Sequence, residues 1–278
     1  MMDAVSLVEH IREKKIIFTV TTGRSGTAYL ASIFGFAQGV VAEHEPAPEF
    51  AEVMRAVQRD PKLARSFLLE KKLPAILEKP GNIYVETSHL SCKGFLMPLL
   101  ELGVVPDLII HRRAPRAVAL SLLCMGTIPS RSDKGLRFYL SPDDPGVLQI
   151  NNWQQLTDYQ LCYWYCLEIE RRACEYSRVF QEQGARVTET TLDSLKSFSG
   201  LKTCFADLGL KMKFPSWLTR LRFLRSSKVK VNESKETKKK IALPEDLDGL
   251  EQQVHARLDG EAAESWLSSF PGRSGGDI

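Results

Sequence analysis

Short apolar runs alternate with longer stretches of helical periodicity along most of the chain. Runs at 15–21, 39–42, 82–87, 106–112 and 185–190 have the length, and mostly the β-branched content, of buried strands. Apolar residues between the runs recur at helical spacing. Strands that alternate with helices predict an α/β fold with a parallel central sheet flanked by helices.

The longer stretches predict the helices, and we expect one domain over residues 1–278. Residues 128–150 are rich in Pro, Gly, Ser and Asp, which indicates a loop or lid. Helices are expected over 27–37, 49–79 with a break at Asp60-Pro61, 92–102, 115–126, 151–182, 200–208 and 247–258.

Three loops should meet at one edge of the predicted sheet. In parallel sheets ligands bind at the carboxyl ends of the strands. That rule places the loops 22–27, 86–91 and 111–116 around one crevice, where we expect the functional side chains.

The first of these loops, in "FTVTTGRSGTAYL", joins a strand to a helix through small residues. Gly23 and Gly26 let the backbone approach an anion closely, and Ser25 and Thr27 add hydroxyl donors. Arg24 stands in a loop that lacks the Walker lysine, and its guanidinium can bind two oxygens. The stretch alone fits an anion-binding loop and a plain strand-to-helix turn about equally well.

The third loop, in "HRRAPRAVALS", adds a second cationic position. Arg113 precedes Ser121 by eight residues, and Pro115 opens the helix between them. This spacing allows both side chains to reach one phosphate. Taken alone, the stretch fits a surface arginine cluster better.

Together, "TTGRSGTAYL" and "RAPRAVALS" resemble the sulfotransferase family that uses PAPS, 3′-phosphoadenosine-5′-phosphosulfate. The resemblance implies a P-loop-like sulfotransferase fold. It implies that the first loop, Gly23 to Thr27, cradles the 5′-phosphosulfate, and that Arg113 and Ser121 hold the 3′-phosphate. Arg24 would stabilise the bridging oxygen as 3′,5′-ADP leaves. The family needs no metal.

The chain departs from the family pattern in three places. Ala114 stands where Asp or Asn is usual, and Arg24 stands where cytosolic members carry Lys. The glycine-rich C-terminal signature of those members is not visible, and the basic stretch 225–240 is a candidate replacement as a second lid. These departures make the chain more similar to bacterial and carbohydrate-type members.

The family's reaction moves a sulfuryl group to an acceptor hydroxyl by in-line displacement and needs a general base. Glu45, in "AEHEPAPEF", occupies the position of the Glu-Pro base of carbohydrate-type members. His89 resembles the catalytic histidine of cytosolic members. His44 and Glu86 remain further candidates. The acceptor is expected to be a small molecule, carbohydrate or lipid.

Composition narrows the partners and the setting. The formal charge of the 278 residues is only +3, which does not indicate a nucleic-acid partner. Residues 220–240 are locally basic, which by itself favours a solvated loop. The six cysteines include no CxxC pair, and no apolar run is long enough to span a membrane. We therefore expect reduced thiols and a cytoplasmic protein.

Two other functions stay open at this point. A P-loop kinase would use ATP and Mg²⁺, and it would need the GxxxxGK[ST] pattern, which "TTGRSGT" lacks. A non-catalytic relative would bind the nucleotide without transferring a group.

Overall fold

Five parallel strands form the centre of the molecule in a computed structural model that describes residues 3–226 and 243–258. The strands are β1 (Lys15–Val20), β2 (Val40–Glu43), β3 (Ile83–Glu86), β4 (Asp107–Arg112) and β5 (Val187–Thr191). Their order in the sheet is β2-β3-β1-β4-β5. The predicted α/β fold with a parallel sheet is confirmed.

Helices cover both faces of this sheet. They are α1 (Ala4–Arg12), α2 (Thr27–Ile33), α3 (Met54–Arg59), α4 (Lys62–Phe67), α5 (Leu73–Leu77), α6 (Leu96–Glu101), α7 (Pro115–Met125), α8 (Asp133–Phe138), α9 (Asp158–Glu182), α10 (Leu192–Leu195), α11 (Phe198–Asp207), α12 (Ser216–Ser226) and α13 (Leu247–Arg257). Short 3₁₀ segments lie at Phe34–Phe36, Phe50–Glu52 and Trp153–Gln155, and a π turn, Leu68–Lys72, joins α4 to α5. In the described ranges no helix is both long and apolar enough to cross a bilayer.

Several predicted elements need correction. The supposed loop 128–150 contains α8, which begins because the Ser132 side chain accepts a hydrogen bond from the backbone N–H of Gly135. Helix α9 begins at Asp158 and not near 151, because Thr157 and Gln160 form a capping box there. Helices α1 and α12 were not predicted. Most of the basic stretch 225–240 lies outside the described residues.

The strands send alternate side chains to two separate cores. Ile16, Phe18 and Val20 of β1 pack into the larger core, whereas Ile17 packs into the smaller one. This period-two division explains why the central strands are apolar almost throughout. Burial on both faces leaves only the strand ends for polar chemistry.

The chain reverses its direction of winding beside β1. After β1 the connection leads through α2 to β2 at one edge, and after β4 it leads through α7 and α9 to β5 at the other. The pairs Phe18↔Glu86 and Val20↔Ile110 bring the carboxyl ends of β3, β1 and β4 side by side. The three predicted loops therefore share one crevice at the switch point.

Candidate active site

The first loop, residues 22–27, curls through a left-handed backbone. Gly23, Arg24 and Gly26 have φ values of 79°, 55° and 96°. A Cβ at Gly23 would lie 3.1 Å from Cγ of His89, and one at Gly26 would lie 3.0 Å from Cδ1 of Leu192. Both glycines are needed for conformation and for space. Arg24 accepts this conformation without being glycine, which is typical of functional loops.

Buried hydrogen bonds hold the loop to its neighbours. The ring of His111, on β4, donates from Nε2 to the carbonyl oxygen of Ser25 at 2.9 Å, and its Nδ1 faces Thr190 Oγ1 at 2.9 Å. Burial lowers the pKa of His111, so the ring is neutral and Nδ1 accepts from the threonine. Tyr165 of α9 donates to the carbonyl oxygen of Thr22 at 2.6 Å. The loop is thus fixed by both β4 and α9.

The structure brings the first and third loops into contact at Arg24. The Nε of Arg24 donates to Ser121 Oγ at 3.3 Å, and Nη1 of Arg113 donates to the backbone carbonyl oxygen of Arg24 at 2.5 Å. The two arginines and the serine predicted to hold the donor therefore lie together. Ser121, however, contacts Arg24 and is not part of the cavity wall described next.

A cavity of about 970 Å³ opens between the first loop, the start of α7 and α10. We call it the larger cavity. Its wall carries four cationic side chains and one carboxylate: Arg24, Arg112, Arg113, Lys196 and Asp193.

Two of these cations are neutralised by neighbours. Arg112 pairs with Glu170 at 2.8 Å and with Glu189 at 2.6 Å, and Lys196 pairs with Asp193 at 2.8 Å. Neither Arg24 nor Arg113 forms an ion pair within 4 Å among the described residues; their contacts are with Ser121 Oγ and with the carbonyl oxygen of Arg24, respectively. The cavity therefore has a net positive wall suited to an anionic ligand.

A second cavity, of about 590 Å³, adjoins the first, and we call it the smaller cavity. Arg24, Thr27 and His44 line both cavities. The remaining wall of the smaller cavity includes Glu45, His89, Lys134, Arg137, Phe138 and Tyr139. Both volumes are in the range of ligand sites, and the two sites share a boundary at which a group could pass between them.

Two candidate bases follow β2. Glu45 has a left-handed backbone with φ of 47°, and its side chain is 33% exposed on the smaller cavity. The Nδ1 of His44 lies 2.8 Å from the carbonyl oxygen of Thr87. Because a carbonyl can only accept, Nδ1 carries the hydrogen, and a neutral His44 presents Nε2 as an acceptor.

His89 lies deeper than either of these groups. Its Nδ1 is 2.8 Å from Nζ of Lys93, and its Nε2 is 3.5 Å from Oε1 of Glu45. Burial, with Lys93 and His44 adding repulsion, lowers the pKa of His89 well below its usual value. The imidazole is therefore neutral at pH 7.

Glu86 does not belong with the other candidates, and its proposed role as the base is not supported by its position. It is buried and pairs with Lys72 at 2.9 Å, it accepts a hydrogen bond from the hydroxyl of Tyr84 at 3.0 Å, and it lines neither cavity. Burial raises its pKa. The side chain turns into the core because it lies one position beyond Val85, on the opposite face of β3.

Sequence reasoning missed several residues of the site. Lys93 follows His89 by four positions, and that spacing was the one available signal. Arg137, Phe138 and Tyr139 stand in a stretch whose composition indicates a loop, and Lys196 follows the last strand. No three His, Cys, Asp or Glu side chains in residues 3–226 and 243–258 group as metal ligands.

Comparison with known proteins yields a similarity of fold. No protein-family model matches the chain, and no curated protein does. The chain is similar to a mouse sulfotransferase, SULT7A1, whose crystal structure is a complex with PAP. The similarity covers 96% of this chain and 84% of that one, at 14% identity and a TM-score of 0.41. The roles of residues must therefore come from this chain's own geometry.

Proposed function

We propose that the protein is a sulfotransferase that moves a sulfuryl group from PAPS to an acceptor hydroxyl. The observation that carries the proposal is the shared boundary of the two cavities at Arg24, Thr27 and His44. One cavity has the positive wall that a phosphosulfate needs. The other has the candidate bases that a hydroxyl needs.

The donor would occupy the larger cavity. Its 5′-phosphosulfate would lie against the first loop, where Arg24 faces both cavities. Its 3′-phosphate would bind Arg113, which already braces the first loop through the carbonyl oxygen of Arg24. Ser121, which accepts a hydrogen bond from Arg24, would support the 5′ end of the donor by holding that arginine in place.

The transfer would be an in-line displacement at sulfur. The acceptor oxygen forms a bond to sulfur while the bond from sulfur to the 5′-phosphate oxygen breaks, and 3′,5′-ADP leaves. The base removes the hydroxyl proton, and Arg24 stabilises the negative charge on the leaving oxygen. Glu45 is the base that we favour, because its carboxylate lines the smaller cavity, is 33% exposed to an incoming hydroxyl, and follows directly after His44, which lines both cavities.

Binding of 3′,5′-ADP tests the donor site without knowledge of the acceptor. We expect 3′,5′-ADP to raise the Tm, with a gain of about 2.7 kcal/mol at 100 times its Kd. Arg113→Ala should weaken the affinity about 10–100-fold, because a charge-assisted hydrogen bond is lost. Arg178→Ala, at an exposed arginine paired with Glu182, is the matched control and should leave the affinity unchanged.

ATP with Mg²⁺ provides the opposing outcome. Stabilisation by ATP and Mg²⁺ without stabilisation by 3′,5′-ADP would favour the kinase alternative. Incubation of labelled PAPS with a panel of hydroxyl compounds then separates a transferase from a relative that only binds the nucleotide. The panel should cover sugars, lipid alcohols and small metabolites.

A further inference from the structure

A buried lysine, Lys93, lies beneath the smaller cavity and takes no part in the proposed transfer. The side chain of Lys93 is 0% exposed. Its Nζ lies 2.6 Å from the carbonyl oxygen of Phe138 and 2.8 Å from Nδ1 of His89, with the rings of Tyr139 and Tyr165 at 4.9 and 5.0 Å. No carboxylate in the described ranges lies within 4 Å of it. A buried lysine held in this way calls for an explanation beyond packing.

The donors and acceptors around this lysine fix the hydrogen on His89. An ammonium has three hydrogens and no lone pair, so both close contacts of Lys93 are donations. Nδ1 of His89 must then be unprotonated. A neutral imidazole carries its one hydrogen on the other nitrogen, Nε2, which points at Oε1 of Glu45 across 3.5 Å.

We propose that Lys93 is a positioning residue that holds His89 as the Nε2–H tautomer and thereby aims an N–H at the Glu45 carboxylate. His89 is then a donor that orients Glu45, not a proton acceptor. The separation of 3.5 Å is long for a hydrogen bond, and such contacts shorten when a site closes around its substrate. The tautomer follows from the contacts of Lys93 in its ammonium form, whereas its effect on turnover rests on the proposed function.

The packing around His89 supports a fixed ring. Gly23 leaves the space that the ring occupies, since a Cβ there would lie 3.1 Å from Cγ. The ring also packs on Tyr139, with centroids 5.6 Å apart. His89 therefore contacts the first loop, the loop that carries Glu45 and the segment after α8. A change of tautomer would alter its contacts with all three.

The charged surroundings of Lys93 set the pH range of the effect. Burial lowers its pKa to about 7, with Cys92 and Glu45 opposing the shift and Arg172 and Arg55 adding to it. His89 faces Lys93, His44 and Glu45. Below pH 7 the ammonium enforces the Nε2–H tautomer. Above it the neutral amine can also accept, and the constraint on His89 relaxes.

Nitrogen-15 NMR of protein with labelled histidine side chains measures this tautomer directly. The chain has five histidines, and loss of one signal set in His89→Gln assigns His89. At pH 6 we expect a neutral ring with hydrogen on Nε2. In Lys93→Met the ring should populate both tautomers and its pKa should rise. A cationic or Nδ1–H ring in the wild type, or the same tautomer in Lys93→Met, would overturn the proposal.

Titration of stability gives a second readout. The pKa of Lys93 lies near 7 when folded and near 10.5 when unfolded, so the unfolded chain binds more protons between these values. Burial of the charged ammonium lowers the free energy of unfolding by its full amount below pH 7 and no longer lowers it above pH 10.5. The Tm of the wild type should therefore rise relative to that of Lys93→Met from pH 7 to 10. A constant difference would refute a buried, titrating Lys93.

The controls separate this proposal from the proposed function. Lys62→Met changes an exposed lysine and should alter neither the His89 signals nor the pH profile of the Tm. Both measurements are made without PAPS and without an acceptor substrate. Their results therefore remain valid even if no sulfuryl transfer is detected. If Lys93→Met does not fold, the wild-type tautomer at pH 6, and its loss toward pH 9, still decide the question. Once an acceptor that supports sulfuryl transfer is known, Lys93→Met should lower kcat and leave the KM for PAPS unchanged.

Discussion

Glu45→Gln should lower turnover by about 10²–10⁴-fold, the usual contribution of a general base. The amide has the shape of the carboxylate but cannot take the hydroxyl proton. Affinity for 3′,5′-ADP should stay the same, because Glu45 lines the smaller cavity and not the larger one. Sulfuryl transfer from labelled PAPS and titration with 3′,5′-ADP measure the two effects separately.

His44 is the competing candidate for the base, and variants of both residues decide between them. Glu78→Gln changes an exposed glutamate away from both cavities and serves as the control. His44→Gln removes the Nε2 acceptor at the boundary of the cavities. Full turnover in Glu45→Gln together with loss in His44→Gln would make His44 the base. Loss of nucleotide binding in Glu45→Gln would also count against the role proposed for Glu45.

Lys72→Met should reduce the free energy of unfolding by about 3–5 kcal/mol, because it leaves a buried carboxylate without its partner. Lys72 and Glu86 each have a side chain only 1% exposed, and Oε1 of Glu86 has no hydrogen-bond partner even in the intact protein. Lys72 also donates to the carbonyl oxygen of Pro48 at 2.9 Å, so its loss frees the loop that carries Glu45. Chemical denaturation measures the change.

The adjacent residue offers a matched control. Lys71→Met breaks an exposed pair with Glu52 and should cost about 1 kcal/mol or less. The deficit of Lys72→Met should shrink toward pH 4, because burial raises the pKa of Glu86 and a protonated carboxyl no longer needs a partner. The double variant Lys72→Met with Glu86→Leu should recover much of the stability. Equal deficits in Lys71→Met and Lys72→Met would disprove the buried-pair argument.

Local patterns predicted the sheet and the first loop because the physics there is local. An apolar β-branched run followed at once by Gly23 and Gly26 has few structures open to it, and β1, the loop and α2 form in that order. The rule for the ends of parallel strands then brought Arg24 and Arg113 together. Both steps need only the order of elements along the chain.

Tertiary partners were beyond these patterns. Glu86 ends a strand at the crevice, which suggested chemistry, yet its position on the pleat turns it toward Lys72, a residue of the π turn. Nothing in the sequence around Lys93 indicates that this charged side chain is buried. Helix α8 lies in a stretch with the composition of a loop, and Arg55 and Lys93 donate hydrogen bonds to its carbonyl oxygens. Each depends on contacts between distant segments.

The π turn at Leu68–Lys72 has a consequence for how this segment tolerates change. One additional residue is accommodated there within a continuous helical path from α4 to α5. Deleting a single residue would close the turn into regular α-helix and shift the side chains within the turn, Lys72 among them, relative to the helices on either side. Lys72 would then no longer meet both Glu86 and the Pro48 carbonyl. The number of residues in the π turn is therefore more tightly constrained than the identity of the residues at its exposed positions.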